Sequence, residues 1–224
     1  MFLQMILMKI ESIQKTQSPT GKLRLQFDHG KSILVYPAVI AELRLCPGME
    51  LDATQLEQLD RQGAETSARE RAVRMLASRP MTEKELLHKL VMKGEPPDHA
   101  QKAVDRLKEL DLLDDLETAK HLVRSALARG YGKGRIRRLL YEKRVPKELW
   151  DRVLADLPEP DEKLQEFLHK RFRGAAPNAT ERRRATQALL RRGYSWEQVR
   201  RAMDAYDPEG EEDFFDGSDP DFGD

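Results

Sequence analysis

Three short segments with the same pattern recur along this chain at almost equal spacing. Each has apolar residues, then cations, then a helix stop, and they are residues 90–94 (LVMKG), 140–144 (LYEKR) and 189–193 (LLRRG). Their last residues, 94, 144 and 193, lie 50 and 49 positions apart. Repeats of this length are typical of chains built from small units that bury apolar faces on their neighbours. The sequence therefore predicts a tandem array rather than one large core.

Helix signals divide each repeat into three helices. Leading helices are predicted over 67–79, 115–129 and 161–173, and third helices over 98–110, 147–157 and up to Tyr206. Candidate capping pairs, three residues apart, are Ser67 and Glu70, Thr82 and Glu85, Asp114 and Glu117, Asn178 and Glu181, and Ser195 and Gln198. The predicted units are 63–113, 114–158 and 159–206.

The first 62 residues show a different pattern. Apolar residues alternate with polar ones around Ile10 and Leu25, which indicates strands, and residues 28–31 (DHGK) predict a hairpin turn. A short helix over 37–45 and a linker at 61–64 are expected to follow. The predicted fold is mainly α: tandem three-helix repeats in an elongated curved array, preceded by a small β-hairpin module and followed by a disordered acidic tail.

The neutral net charge conceals a strong asymmetry. The chain has 39 acids and 39 bases, but residues 207–224 hold nine acids and no base, so 30 acids face 39 bases before residue 207. A body of about +9 with a tail of about −9 suggests a polyanionic partner. The tail contains phenylalanines among acids. It acts only in solubility, competes with DNA for the basic residues, or docks its phenylalanines on a partner.

No catalytic or metal site is evident in the sequence. Cys46 is the only cysteine, so neither an intrachain disulfide nor a cysteine zinc cage is possible, and the five histidines lack ligand spacing. Asp114 and Asp115 are expected to begin a helix rather than bind a metal. The apolar start, Met1 to Met8, is too short to span a bilayer. We expect a cytoplasmic monomer that needs no cofactor and has no enzymatic activity.

Basic residues cluster at equivalent places in the second and third repeats. The candidate binding residues are Arg129, Lys133, Arg135, Arg137, Arg138, Lys143 and Arg144 in the second repeat, Arg182, Arg183, Arg184, Arg191 and Arg192 in the third, and Lys93 in the first. The second cluster includes Gly130, Gly132 and Gly134, whose amides could hold phosphates. The alternative interpretation is that these cations only form a solvated helix face and bind no partner.

Aromatic residues offer stacking candidates for nucleic-acid bases. Tyr131, Tyr141, Tyr194 and Trp196 could stack on bases, but all four are expected rather to pack between helices. Tyr131 and Tyr194, which directly follow glycine stops, are the better stacking candidates.

Residues 81–94 (MTEKELLHKLVMKG), followed by 104–107 (VDRL) and 112–115 (LLDD), resemble the first repeat of the RecX family. Residues 119–132 and 135–140 (RIRRLL) resemble its second repeat. The best match covers 68–157, and the third unit matches more loosely. Arg144 and Val145 stand where the family usually has a glycine and an apolar residue, and Asp111 stands where a glycine is common. The Arg144 departure would lengthen its helix.

The resemblance implies binding to RecA and to RecA filaments on single-stranded DNA. Family members lie in the groove of the filament and usually inhibit its ATPase, strand exchange and coprotease activities. Direct binding to single- or double-stranded DNA stays open. The alternative is a DNA-binding protein of helix-turn-helix type, since short trihelical units also build those folds. Its recognition helices would be 98–110 or 147–157, which mix acids with bases.

The acidic tail yields a direct test. If residues 207–224 compete with DNA, their deletion should tighten binding to a single-stranded oligonucleotide at low salt, because nine negative charges no longer occupy the basic residues. Fluorescence anisotropy of a labelled oligonucleotide measures this. An unchanged affinity would exclude the competition.

Overall fold

A computed structural model describes residues 7–17 and 20–207. The chain separates into two compact units that divide between Asp114 and Asp115. The first six residues and nearly all of the predicted acidic tail, from residue 208 onward, lie outside the described ranges. Within these ranges no helix is long and apolar enough to cross a membrane.

The first unit opens with an antiparallel sheet of four strands in the order β3-β2-β1-β4. The strands are β1 (Met8–Lys15), β2 (Leu23–Phe27), β3 (Ser32–Val35) and β4 (Glu50–Leu51). The predicted hairpin is confirmed: Leu23 pairs with Val35, and Gly30 occupies the turn with φ of 76°. Ile10, Leu25 and other alternating residues of one sheet face are fully buried, as strand periodicity requires.

Two helices follow, α1 (Pro37–Glu42) and α2 (Ala53–Ser78). The predicted linker at 61–64 is wrong, because these residues lie inside α2, where a single glycine costs only about 1 kcal/mol. The predicted N-cap at Ser67 is also wrong, because α2 begins earlier. Asp52 and Gln55 form a full capping box there, and the Ser67 hydroxyl instead donates to Glu95.

The first three-helix repeat consists of the second half of α2 with α3 (Glu83–Met92) and α4 (Pro97–Glu109). Thr82 caps α3 as predicted, since its hydroxyl accepts from the Glu85 amide. Two buried carboxylates join α3 to α2. Arg79 Nη2 lies 2.6 Å from Glu85 Oε1, and Arg71 Nε lies 2.6 Å from Glu95 Oε1. These two pairs hold the segments at either end of α3 close to α2. Removing one partner of a pair would be destabilising, because it would leave a buried charge uncompensated.

The second unit contains two further three-helix repeats, as predicted. The first of them comprises α5 (Asp115–Ala128), α6 (Lys133–Glu142) and α7 (Trp150–Leu154), which is preceded by a 3₁₀ turn (Lys147–Leu149). The other comprises α8 (Asp161–Phe172), α9 (Ala179–Arg191) and α10 (Trp196–Tyr206). Each encloses its own apolar core, around Ile136 and Leu140 in one and Leu168 and Leu189 in the other. The capping boxes at Asn178 and Ser195 are confirmed.

The three recurring segments end their helices with one geometry. In each segment, the residue two positions beyond the helix C-cap donates its amide to a carbonyl oxygen of the last helical turn, five residues earlier in the chain. The pairs are Glu95 to Leu90, Val145 to Leu140, and Tyr194 to Leu189. This arrangement requires a left-handed residue between them. Gly94 and Gly193 both have φ of 87°, and Arg144 has φ of 54°. The expectation that Arg144 lengthens its helix is therefore wrong; α6 ends at Glu142 and Arg144 adopts the strained conformation.

Arg144→Gly should stabilise the second unit. An arginine at positive φ costs about 1 kcal/mol relative to glycine, so the free energy of unfolding should rise by about that amount. Urea denaturation followed by tryptophan fluorescence measures it, since Trp150 and Trp196 both lie in this unit. Arg144→Ala is the control, because it removes the charge and keeps the Cβ. An equal gain from alanine would show that charge relief, not backbone strain, is responsible.

Candidate binding surface

Two turns of the second unit meet through their backbones. The amide of Gly132 donates to the carbonyl oxygen of Arg192 (2.8 Å), and that of Gly134 donates to the carbonyl oxygen of Gly193 (3.0 Å). The hydroxyl of Tyr194 donates to the carbonyl oxygen of Gly130 (3.3 Å). We call this arrangement the turn contact. It joins the α5–α6 turn of the second repeat to the α9–α10 turn of the third.

The turn contact explains why these positions carry glycine. A Cβ at Gly132 would lie 2.6 Å from the carbonyl oxygen of Gly193, and one at Gly193 would lie 2.6 Å from the Cβ of Arg135. Both distances are far below van der Waals contact, and the obstructing atoms belong to or adjoin the backbone. Only glycine allows the two turns to approach this closely.

The prediction that these glycine amides hold phosphates is wrong for Gly132 and Gly134. Both amides already donate to carbonyl oxygens of the third repeat. An amide donates one hydrogen bond, so a phosphate could reach these amides only if the turn contact opened. While the turn contact is closed, these two amides are therefore not available to an anion.

The predicted cations of the second repeat fall into two groups. Arg129, Lys133, Arg137 and Arg144 are exposed, and within the described chain none makes an ion pair. The others are engaged: Arg138 Nε lies 3.1 Å from Glu142 Oε1, Arg135 lies half-buried over the Tyr131 ring, and Lys143 is half-buried.

The third repeat shows the same division. Arg182 Nη1 lies 2.8 Å from Asp207 Oδ2, and both side chains are largely buried, so Arg182 holds the first residue of the acidic tail. A tail truncation that starts at residue 208 keeps this pair. Arg192 stacks on the Phe167 ring at 4.5 Å from its centroid. Arg183, Arg184 and Arg191 are exposed, as is Lys93 in the first unit.

One carboxylate of α8 offsets part of this positive charge. Glu166 lies between Lys170 (2.7 Å) and Lys163 (3.0 Å). Hydrogen bonds from Lys170 and Lys163, together with the two positive charges, lower the pKa of Glu166 to about 2. The carboxylate therefore stays ionised at physiological pH and offsets one of the two lysine charges.

The structure reverses the predicted order of the aromatic candidates. Tyr194 is only 8% exposed, and burial raises the pKa of its phenol. Tyr131 packs against the apolar core around Ile136 and Leu140, and the Trp150 indole donates to the carbonyl oxygen of Val145. Tyr141, expected to pack between helices, is instead 70% exposed on α6. Its position four residues after Arg137 places it on the polar face of the helix, a signal the sequence already contained.

The structure shows no feature of a metal site in the described ranges. Asp115 begins α5, as predicted for a carboxylate at the positive end of a helix dipole. No group of three or more His, Cys, Asp or Glu side chains among the described residues could hold a metal ion.

Comparison with known proteins assigns the repeats. Family models described as the first, second and third three-helix domains of RecX match residues 68–107, 114–154 and 159–203. Together they span most of the helical part of the chain. The chain belongs to the RecX family.

Curated relatives named regulatory protein RecX support the assignment. The Chromohalobacter salexigens protein is 34% identical over 140 residues, which cover 62% of this chain and 92% of that protein. The Halorhodospira halophila protein is 35% identical over 151 residues, covering 66% and 93%. Nearly the whole length of each relative is therefore represented.

Solved structures show the same fold. A crystal structure of regulatory protein RecX, 25% identical, covers 88% of this chain and 99% of its own chain with a TM-score of 0.61. RecX from Lactobacillus salivarius, 22% identical, covers 65% and 97% with a TM-score of 0.53. Because 88% of this chain amounts to more residues than 66–224 contain, the similarity to the first of these structures extends into the N-terminal module.

Gly193→Ala should disrupt the turn contact, and Gly94→Ala is its matched control within the RecX repeats. Both glycines have φ of 87°, but nothing lies within 4 Å of a Cβ at Gly94. Gly94→Ala should cost about 1 kcal/mol of unfolding free energy, and Gly193→Ala at least about 2 kcal/mol more because it also collides with backbone. Urea denaturation followed by circular dichroism measures both.

Amide hydrogen exchange gives a local test of the same change. The amides of Gly132 and Gly134 should exchange faster in Gly193→Ala and stay protected in Gly94→Ala. Equal destabilisation by both substitutions, with unchanged exchange at Gly132 and Gly134, would show that the turn contact contributes little.

Proposed function

We propose that this protein is a non-enzymatic regulator that binds RecA filaments on single-stranded DNA and lowers their ATPase, strand-exchange and coprotease activities. Two lines of support lead to it. The chain belongs to the RecX family, whose resemblance already implied RecA as the partner, and the curated relatives are named as regulatory proteins. In this proposal the protein acts in the cytoplasm as a monomer and needs no cofactor.

The observation that carries the proposal is the set of exposed cations beside the turn contact. Arg129, Lys133 and Arg137 are exposed on one side of it, and Arg191 is exposed on the other. The Arg192 guanidinium lies 3.7 Å from where a Cβ at Gly130 would stand, so the third repeat brings positive charge directly to the turn of the second. The backbone hydrogen bonds bring together two turns whose flanking basic residues are distant in sequence, which supports a shared binding surface.

A nucleoprotein filament matches such a surface in charge. Exposed arginine and lysine without internal partners favour phosphates or the carboxylates of a protein partner, and a filament of RecA on DNA offers both. These contacts carry no base-sequence information, which suits a regulator that must act wherever a filament forms. Binding should weaken as salt rises, because each neutralised phosphate releases counterions.

The helix-turn-helix alternative is less well supported. A recognition helix must reach base edges in the major groove with several side chains. The third helix of the second repeat, α7, has only five residues, from Trp150 to Leu154. In α4 the exposed cations Lys102, Arg106 and Lys108 each face a nearby carboxylate. We therefore favour a partner that is recognised by its charge and shape.

The decisive measurement is RecA ATPase activity on single-stranded DNA with this protein titrated in. Inhibition well below one molecule per RecA would support action on the filament. A requirement for enough protein to coat the DNA would favour the simple DNA-binding alternative.

Reversing charges on the candidate surface should weaken this inhibition. In the variant Arg129→Glu, Lys133→Glu and Arg137→Glu, the half-inhibitory concentration should rise at least about tenfold, because attraction becomes repulsion. The matched control changes the net charge equally at exposed lysines elsewhere: Lys15→Glu, Lys31→Glu and Lys84→Glu. Equal effects from both folded variants would attribute inhibition to overall charge and contradict this surface.

A further inference from the structure

One stripe of α6 combines free cations with an exposed aromatic ring. Lys133, Arg137 and Tyr141 are spaced by four residues, so they lie on one side of the helix with a rise of about 6 Å between neighbours. All three are exposed, and Tyr141 is exposed to 70%. The side chain of Tyr141 tilts toward the helix N-terminus and hence toward Arg137.

Tyr141 differs from the other tyrosines of the second unit in having no internal role. Tyr131 lies beneath Arg135, Tyr194 donates to a carbonyl oxygen, and Tyr206 packs on the Phe172 ring. Within the described residues, Tyr141 makes no hydrogen bond and no ring contact. The recurring segments have Val91 and Leu190 at the equivalent position, so a helix end of this kind does not require an aromatic ring.

The neighbouring charges indicate what could cover the ring. Lys133 and Arg137 form no ion pair within the described chain, whereas Arg138, on the adjacent side of the helix, is paired with Glu142. Two unpaired cations next to a flat ring suit a ligand with phosphates and exposed bases. A duplex offers phosphates but keeps its bases stacked, and an acidic protein offers charge but leaves the ring without a partner.

We propose that Lys133, Arg137 and Tyr141 form a direct site for single-stranded nucleic acid, in which Tyr141 stacks on an unpaired base and the two cations hold flanking phosphates. The proposal deepens the proposed function, on which it rests, by naming the component of the filament that α6 contacts. It also gives the protein a RecA-independent affinity for single strands.

The test measures the affinity of the full chain for a labelled single-stranded oligonucleotide by fluorescence anisotropy, without RecA. Base stacking on an aromatic side chain contributes about 1–3 kcal/mol, so Tyr141→Ala should weaken binding at least about fivefold. Tyr141→Phe keeps the ring and should stay within about twofold of the wild type. Tyr141→Leu keeps apolar bulk without a flat ring and should behave like alanine.

Salt dependence separates the ring from the cations. Tyr141→Ala should leave the slope of log affinity against log salt unchanged, because it removes no charge. Arg137→Gln should reduce that slope by about 0.7, the amount expected for one lost phosphate contact on a single strand. A duplex of the same length should bind wild type and Tyr141→Ala equally.

Several results would overturn the site. They are undetectable single-strand binding by the wild type at low salt, unchanged affinity of Tyr141→Ala, a phenylalanine variant as weak as alanine, or an equal loss on duplex. If Tyr141→Ala impaired RecA inhibition yet bound single strands normally, the ring would contact RecA and the inference would fail. If single-strand binding depended on Tyr141 while the wild-type protein left RecA ATPase activity unchanged, the site would stand and the proposed function would fail.

Discussion

The second unit depends on the main-chain hydrogen bonds between the Gly132–Gly134 turn and the Arg192–Gly193 turn. Main-chain contact tolerates substitution less well than side-chain packing does, because a single Cβ at Gly132 or Gly193 would meet atoms that cannot rotate away. The same bonds use the amides that a helix N-terminus would otherwise offer to an anion. The turn contact therefore joins two repeats and occupies two of the amides near the start of α6.

The basic residues divide according to whether they have partners within the chain. Arg71 and Arg79 each pair with a buried carboxylate, Arg182 pairs with the largely buried Asp207, and these pairs hold elements of the fold together. Arg129 and Lys133 have no such partner and extend into solvent. A high content of charged residues thus serves two purposes, and composition alone does not separate them.

The helix stops show how one geometry tolerates different residues. Gly94, Arg144 and Gly193 occupy equivalent left-handed positions, and so does Asp111 at the end of α4, with φ of 54°. The hydrogen bonds that close these helix ends are strong enough together to hold an arginine in a conformation that glycine adopts without strain. Departures from a glycine pattern therefore need not alter a helix boundary, and the strain is local.

The sequence by itself determined the repeat plan, most helix boundaries and the hairpin, because caps, stops and periodicity act over a few neighbouring residues. It did not locate the start of α2, since the caps at Asp52 and Ser67 have similar local patterns and only the continuous packing of the helix distinguishes them. The tertiary structure decided that Gly132 serves backbone contact, that Arg182 is paired, and that Tyr194 is buried. Each of these depends on which segment, tens of residues away, packs against the residue, and local sequence carries no record of that neighbour.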